Sequence, residues 1–161
     1  MVCYSKNEKD TRKIAGDLAV KIIKSLTLPP LARIRRASVI ALEGELGAGK
    51  TTFVKGFAGE LSVKAKVKSP TFTLMKEYKI PFDNSQEFKE SNQRYLTHLD
   101  CYRVKDYRDL ATLDLKSLFK SPNHIVLIEW PERVRKILPK KLIRVYIDHI
   151  SKNERKISIH M

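Results

Sequence analysis

The sequence predicts a three-layer α/β fold, with helices flanking a mixed, mostly parallel sheet that ends in antiparallel strands. Three observations carry that expectation. Two short apolar runs, Ser38-Val39-Ile40-Ala41-Leu42 and His124-Ile125-Val126-Leu127-Ile128-Glu129-Trp130, have the near-unbroken hydrophobicity of strands buried on both faces. A glycine-rich turn follows the first run and opens into a segment of helical composition, Lys50 to Leu61. Late in the chain, Ile143, Val145 and Ile147, and then Ile157, Ile159 and Met161, alternate with polar neighbours as half-buried strands do.

The remaining elements follow in order. From about Asp10 to Leu26, Ile14, Leu18, Ile22 and Leu26 recur every four residues, and Ala15, Ala19 and Ile23 widen the stripe into the face of an amphipathic helix. Leu28-Pro29-Pro30 ends it, because proline cannot continue the hydrogen-bond ladder. Thr71 to Ile80 and Tyr95 to Tyr102 read as two strands. The polar stretch beginning at Pro81-Phe82-Asp83-Asn84-Ser85-Gln86-Glu87 reads as the surface loop between them. Asp106 to Phe119 reads as a helix with Leu110, Leu113 and Leu118 turned inward. Pro131 suits the first turn of a short helix reaching Leu138. No repeat, low-complexity tract or long linker divides the 161 residues, so one domain spanning 1–161 is expected.

Composition bounds the function. A hydrophobic content of 42% supports a folded globule. No window approaches 18 consecutive apolar residues, the minimum for a membrane-spanning helix. The start, Met1-Val2-Cys3-Tyr4-Ser5-Lys6-Asn7-Glu8, lacks the apolar core of a signal peptide, so a cytosolic protein is expected. Cys3 and Cys101 stand too far apart for a zinc motif and read as buried or half-buried thiols; His98, His124, His149 and His160 are equally scattered. The net charge of +14 suits an anionic partner such as RNA, or reflects a lysine-rich proteome. Its basic residues, among them Arg33, Arg35, Arg36, Lys64, Lys66, Lys68, Lys140 and Lys141, are dispersed and not interleaved with stacking aromatics.

The strongest chemical signal is Gly44-Glu45-Leu46-Gly47-Ala48-Gly49-Lys50-Thr51, which satisfies G-x-x-x-x-G-K-[ST] between an apolar strand and a helix. Glycine is required because the backbone must curl until its N–H groups converge on phosphate oxygens. Lys50 reaches the β- and γ-phosphates in such a loop, and the Thr51 hydroxyl helps to hold Mg²⁺. A P-loop also needs a carboxylate on a neighbouring strand and a group that places water. Glu129, ending its apolar strand, fits the first role as a glutamate version of a Walker B acid, and Asp100 is a second candidate. Either acid alone also fits a surface or capping carboxylate. Together these features point to a P-loop NTPase-like three-layer domain.

Four blocks in order sharpen this reading: Gly44 to Thr52, then Ser69-Pro70-Thr71-Phe72-Thr73-Leu74, then His98-Leu99-Asp100-Cys101-Tyr102-Arg103, and Ile128-Glu129-Trp130-Pro131-Glu132. With these separations the chain resembles the TsaE (formerly YjeE) family, small ATPases of bacterial tRNA threonylcarbamoyladenosine biosynthesis. The resemblance runs from the first helix to about Leu138 and is weaker in the last strands. It implies that Gly47, Ala48, Gly49, Lys50, Thr51 and Thr52 bind the phosphates of ATP, with Thr51 and Glu129 on Mg²⁺. It further implies that Ser69 to Leu74 act as a switch segment with Thr71 near the γ-phosphate, and that Asp100 orients the attacking water. Lys50, Asp100 and Glu129 are then the catalytic set, and Trp130 packs beside Glu129 at the partner-facing surface. Ser69-Pro70-Thr71 taken alone also reads as an ordinary turn, and Trp130 as a core aromatic. The implied partners are the TsaD and TsaB proteins of the threonylcarbamoyl-transfer complex, with tRNA contacted indirectly and no membrane. Three features depart from the pattern: the long polar loop from Pro81 to Arg94, the basic charge, and Asp114 where a glycine is expected.

Two other functions fit the loop. A P-loop small-molecule kinase needs a lid bearing arginines, for which Arg103, Arg108 or Arg133 are candidates, yet no segment reads as a lid. An RNA-binding module that also holds ATP would show binding steeply weakened by salt and indifferent to loss of Lys50.

Overall fold

The computed structural model describes residues 1–26, 36–81 and 93–161. The expected stop at Leu28-Pro29-Pro30, Arg33 and Arg35, and most of the polar loop from Pro81 to Arg94 lie outside them. The described chain runs β1 (Val2–Ser5), α1 (Glu8–Leu26), β2 (Ser38–Glu43), α2 (Lys50–Glu60), β3 (Met75–Ile80), β4 (Arg94–Asp100), α3 (Leu115–Lys120), β5 (His124–Glu129), β6 (Ile143–His149) and β7 (Arg155–His160). Two 3-10 segments, Tyr107–Leu110 and Pro131–Ile137, fill the connections before α3 and after β5.

The strands form one seven-stranded sheet in the order β1-β7-β6-β2-β5-β4-β3. Its centre, β6-β2-β5-β4, is parallel throughout, while β3 on one edge and β7 and β1 on the other pair antiparallel. The mixed sheet expected from the sequence is therefore parallel at its centre and antiparallel at both edges, not only at its C-terminal end. Alternation along the central strands sorts side chains onto two faces. Ile40, Leu42, Leu96, Ile125 and Leu127 join Leu18, Phe53 and Phe57 of α1 and α2 in one buried cluster. Val39, Leu99, Val126 and Ile128 join Leu110, Leu115, Phe119 and Val134 in a second. Helical segments thus cover both faces, giving the three layers. Among the described residues, no helix is long and apolar enough to cross a membrane.

Some elements differ from expectation, each for a local reason. The strand expected from Thr71 begins only at Met75, because Thr73 N–H closes a turn onto the Pro70 carbonyl at 2.9 Å and Leu74 takes a φ of 62°. The helix expected over Asp106 to Phe119 is split. Asp106 caps the 3-10 segment through Arg108 N–H, and Asp114 caps α3 by accepting from Ser117 N–H. Asp114, where the family pattern suggested glycine, thus starts a helix that glycine would leave uncapped. Val2–Ser5, too short to announce itself by periodicity, extends the sheet on β7, with the Met1 ammonium donating to the Ile159 carbonyl at 2.8 Å.

The packing of α1 on α2 rests on Gly56. A Cβ there would lie 2.4 Å from both the Cα and the carbonyl oxygen of Arg12, so any side chain forces the helices apart. Gly59, one turn on, meets nothing within 4 Å. Opposite outcomes are expected from the same chemical change. Gly56→Ala should destabilise by about 1–3 kcal/mol, because overpacking outweighs its gain in helix propensity. Gly59→Ala should stabilise by roughly 0.5–1 kcal/mol. Urea denaturation of the two variants beside the parent measures both signs.

Candidate functional site

The face that a side chain takes in the core also decides where the polar groups at the strand ends point. In β5, Ile125 and Leu127 face α1 and α2, and Glu129 continues their alternation. In β4, Leu96 lies on that same face, and His98 and Asp100 follow it at intervals of two. Parallel register sets Asp100 beside Glu129, and Glu129 beside Leu42 at the end of β2. The glycine-rich turn leaves β2 at that end and delivers Lys50 and Thr51 to the first turn of α2. Gly49 is the left-handed N-cap of α2 at φ 107°, a conformation in which a side chain would be strained.

These elements enclose a cleft of about 290 Å³ lined by the turn, by Ser69 and Thr71, and by Asp100, Glu129 and Trp130. Of the residues singled out from sequence, Gly47, Gly49, Lys50, Thr51, Thr52, Thr71, Asp100, Glu129 and Trp130 all line it. Ala48 does not: it is fully buried in the core beneath the turn.

The charged groups are buried and satisfied from within. Lys50, 4% exposed, donates to the carbonyls of Gly44 at 2.6 Å and Glu45 at 2.8 Å, and its ammonium sits 3.7 Å from the Trp130 ring centroid. Burial lowers the Lys50 pKa, against the opposing pull of Glu129, Glu132 and Asp100. Glu129 accepts from the Thr51 hydroxyl at 2.9 and 3.2 Å, and its Oε1 lies 2.9 Å from Nε2 of fully buried His98. Asp100 Oδ2 accepts from the hydroxyls of Ser69, at 2.6 Å, and Thr71, while Oδ1 accepts from Tyr102 N–H at 3.0 Å. Trp130 takes φ 59° and ψ 50°, a region that costs a non-glycine residue about 1–2 kcal/mol. Packing holds it there, between Lys50 and the Tyr102 ring at 5.2 Å.

Asp100 and Glu129, two buried carboxylates side by side, favour a cation near them. Lys50 supplies one positive charge to the cluster. Thr51 and Glu129 present oxygen donors only, the hard donor type that Mg²⁺ prefers, and too few to bind it without phosphate and water ligands. Among the described residues, no group of three or more His, Cys, Asp or Glu forms a metal cage. The donor chemistry fits a Mg²⁺ that arrives with a polyphosphate.

Sequence reasoning gave no role to His98, Tyr102 or Arg155. The first had a readable signal, since His98 and Asp100 occupy alternate positions of one apolar strand and so share a face. Arg155 had none: its Nε donates to the Ala48 carbonyl at 3.0 Å across 107 residues of sequence.

Comparison with known proteins gives concordant results. A family model described as threonylcarbamoyl adenosine biosynthesis protein TsaE matches residues 5–157. The tRNA threonylcarbamoyladenosine biosynthesis protein TsaE of Bacillus subtilis (strain 168) is 36% identical over 138 residues, covering 86% of this chain and 77% of that protein. Its counterpart from Aquifex aeolicus (strain VF5) is 35% identical over 156 residues, covering 96% and 91%. The crystal structure of Bacillus subtilis YdiB superposes with a TM-score of 0.69 at 29% identity, covering 99% of this chain and 83% of that one.

Cys101 sits directly behind the site, its N–H bonded to the Glu129 carbonyl at 3.0 Å. Burial first, then Asp100 and Glu132, push its thiol pKa up to about 12. The thiolate is the reactive form, so Cys101 should resist alkylation near pH 8 while half-buried Cys3 reacts. Titration with a chromogenic disulfide should release one equivalent in buffer and two in denaturant. Two fast equivalents in buffer would mean that the site is open at its back.

Proposed function

The chain belongs to the TsaE family of threonylcarbamoyl adenosine biosynthesis proteins, and on that premise we propose that it is a P-loop ATPase required for N6-threonylcarbamoyladenosine modification of tRNA. It acts with the TsaD–TsaB transferase complex in the cytoplasm, and its contact with tRNA runs through that complex. The observation that best supports this reading is the convergence of Lys50, Thr51, Asp100 and Glu129 on one cleft beside a glycine-rich turn.

In this reading the reaction is hydrolysis of ATP to ADP and phosphate. The N–H groups of Gly47 and of Gly49 to Thr52 cradle the phosphate chain at the N-terminus of α2, where the helix dipole also favours anions, while Ala48 N–H is spent on the Glu45 carbonyl. Lys50, held by two turn carbonyls, is pre-positioned as a counter-charge. Thr51 and Glu129 would hold Mg²⁺, which supplies neutralisation of charge on the phosphate oxygens. Asp100 orients the attacking water, with Ser69 and Thr71 holding its carboxylate in place. Among the described residues that line the cleft, none is an arginine. P-loop enzymes that lack their own arginine finger often receive the missing group from a partner, so hydrolysis by this chain alone is slow.

Lys50→Met keeps an apolar stem and removes the ammonium that lies 3.7 Å from the Trp130 ring centroid. ATP affinity measured by calorimetry should fall on the order of 10-fold to 100-fold, the loss of a charge-assisted hydrogen bond. Asp100→Ala and Glu129→Ala should depress kcat far more than ATP affinity, since these acids act chiefly in the transition state. Parental turnover in both would overturn the assignment.

Hydrolysis should rise when TsaD and TsaB from the same source are added. Trp130→Ala should keep most ATP affinity yet lose that stimulation, together with multi-turnover tRNA modification in a reconstituted assay. Full modification with this protein omitted would overturn the partner-coupled reading.

A further inference from the structure

Arg155, the first residue of β7, reaches the phosphate-cradling turn from the far side of the cleft and is not among its lining residues. Its Nε donates to the Ala48 carbonyl at 3.0 Å. The same guanidinium is fixed by the hairpin that leads into β7, with Nη1 donating to the carbonyls of Ser151 at 3.0 Å, Lys152 at 3.3 Å and Glu154 at 2.9 Å. The guanidinium is thus held on four backbone carbonyls.

The Ala48 carbonyl shares its peptide unit with the Gly49 N–H. No peptide bond in the described chain is cis, so that C=O and N–H point in opposite directions. A guanidinium on the oxygen from behind leaves the N–H facing forward, and Gly49 lines the cleft whereas Ala48 is buried. The preceding amide, Ala48 N–H, turns back to the Glu45 carbonyl at 3.1 Å, which leaves the Gly49 amide as the one beside residue 48 that can serve a ligand. A cation on the carbonyl also polarises the amide and makes its N–H a stronger donor to an anion.

We propose that Arg155 is a positioning residue for nucleotide binding, which fixes and polarises the Ala48–Gly49 peptide so that Gly49 N–H is aimed at a phosphate of the bound nucleotide. The proposal rests on the nucleotide-binding reading given above. It goes further in assigning a role to the C-terminal hairpin, which carries no recognisable motif. Backbone amides of such a turn serve the α- and β-phosphates, so ADP and ATP depend on Arg155 alike.

The test compares the full-length parent with Arg155→Gln and Arg155→Lys. ADP and ATP affinities are measured by calorimetry, and the Gly49 amide is followed by ¹H–¹⁵N NMR with and without ADP. In the parent, ADP should move the Gly49 proton downfield. Arg155→Gln should weaken both nucleotides by on the order of tenfold and reduce that downfield shift. Arg155→Lys keeps the charge without the planar fork and should fall between the two; it also carries the test should the glutamine variant fail to fold. A purely structural tie of the hairpin would lower the melting temperature of both variants and leave the Gly49 shift as in the parent, and that result overturns the proposal. So does ADP affinity within twofold of the parent in the glutamine variant. A parent that binds neither nucleotide would instead overturn the nucleotide reading on which the proposal depends.

Discussion

The parallel register of β2, β5 and β4 is the constraint on which the rest of the molecule hangs. It places Leu42, Glu129 and Asp100 in one row at the carboxyl ends of three adjacent strands, the region where open α/β sheets bind ligands. The alternation that sends Ile125 and Leu127 toward α1 and α2 also sends Glu129 toward Thr51. A slip of one residue would turn Val126 and Ile128 onto that face and remove the carboxylate from the turn. Core and site are thus specified by a single pattern, and the burial of apolar side chains on both faces enforces the geometry of the polar ones.

That geometry has a cost, because Lys50, Asp100 and Glu129 are each at most 4% exposed. A buried charge without partners is costly by several kcal/mol, so each must find compensation on the spot. The solutions differ in kind. Lys50 is met by backbone carbonyls and an aromatic face, Glu129 by a hydroxyl and His98, and Asp100 by two hydroxyls and one backbone N–H. His98 has a further consequence: its Nδ1 is buried with no hydrogen-bond partner among the described residues, so the ring's polar contact is spent on Glu129. Its place on the strand is better explained by orienting that carboxylate than by packing.

Much of this was legible in the sequence, and what was not has physical causes. Buried strands β2 and β5, the turn between β2 and α2, and the alternating β6 and β7 are long or strongly patterned, and periodicity reads such segments well. The chain from Thr71 to Leu74 misled because β-branched and aromatic residues favour strands, whereas hydrogen bonding around Pro70 and the positive φ of Leu74 make a turn there. The segment from Asp106 to Phe119 has the leucine content of a helix, but two aspartates each found a capping role and divided it. Within the site, residues of the four motif blocks could be placed because each block is local. Arg155 could not, since its single contact with the turn is created by the pairing of β7 with β6, and nothing near it in sequence encodes that.

The two loops that face the cleft are tied down in different ways. The glycine-rich turn is braced from inside by Lys50 on Gly44 and Glu45, and from behind by Arg155 on Ala48. The Ser69 to Leu74 segment meets the body of the protein at Asp100, through two hydroxyls on Oδ2 and through the Asp100 N–H donated to the Leu74 carbonyl at 2.9 Å. Phe72, at the crest of that segment, is 82% exposed, with the Arg103 guanidinium 4.4 Å from its ring centroid. In the proposed reaction, a water oriented by Asp100 draws on the same carboxylate that the two hydroxyls occupy. A group that engages Oδ2 competes with Ser69 and Thr71 for that oxygen, whereas the bond from Asp100 N–H to the Leu74 carbonyl is independent of it. In that proposed reaction, nucleotide state and the exposed Phe72 are linked through the Asp100 side chain.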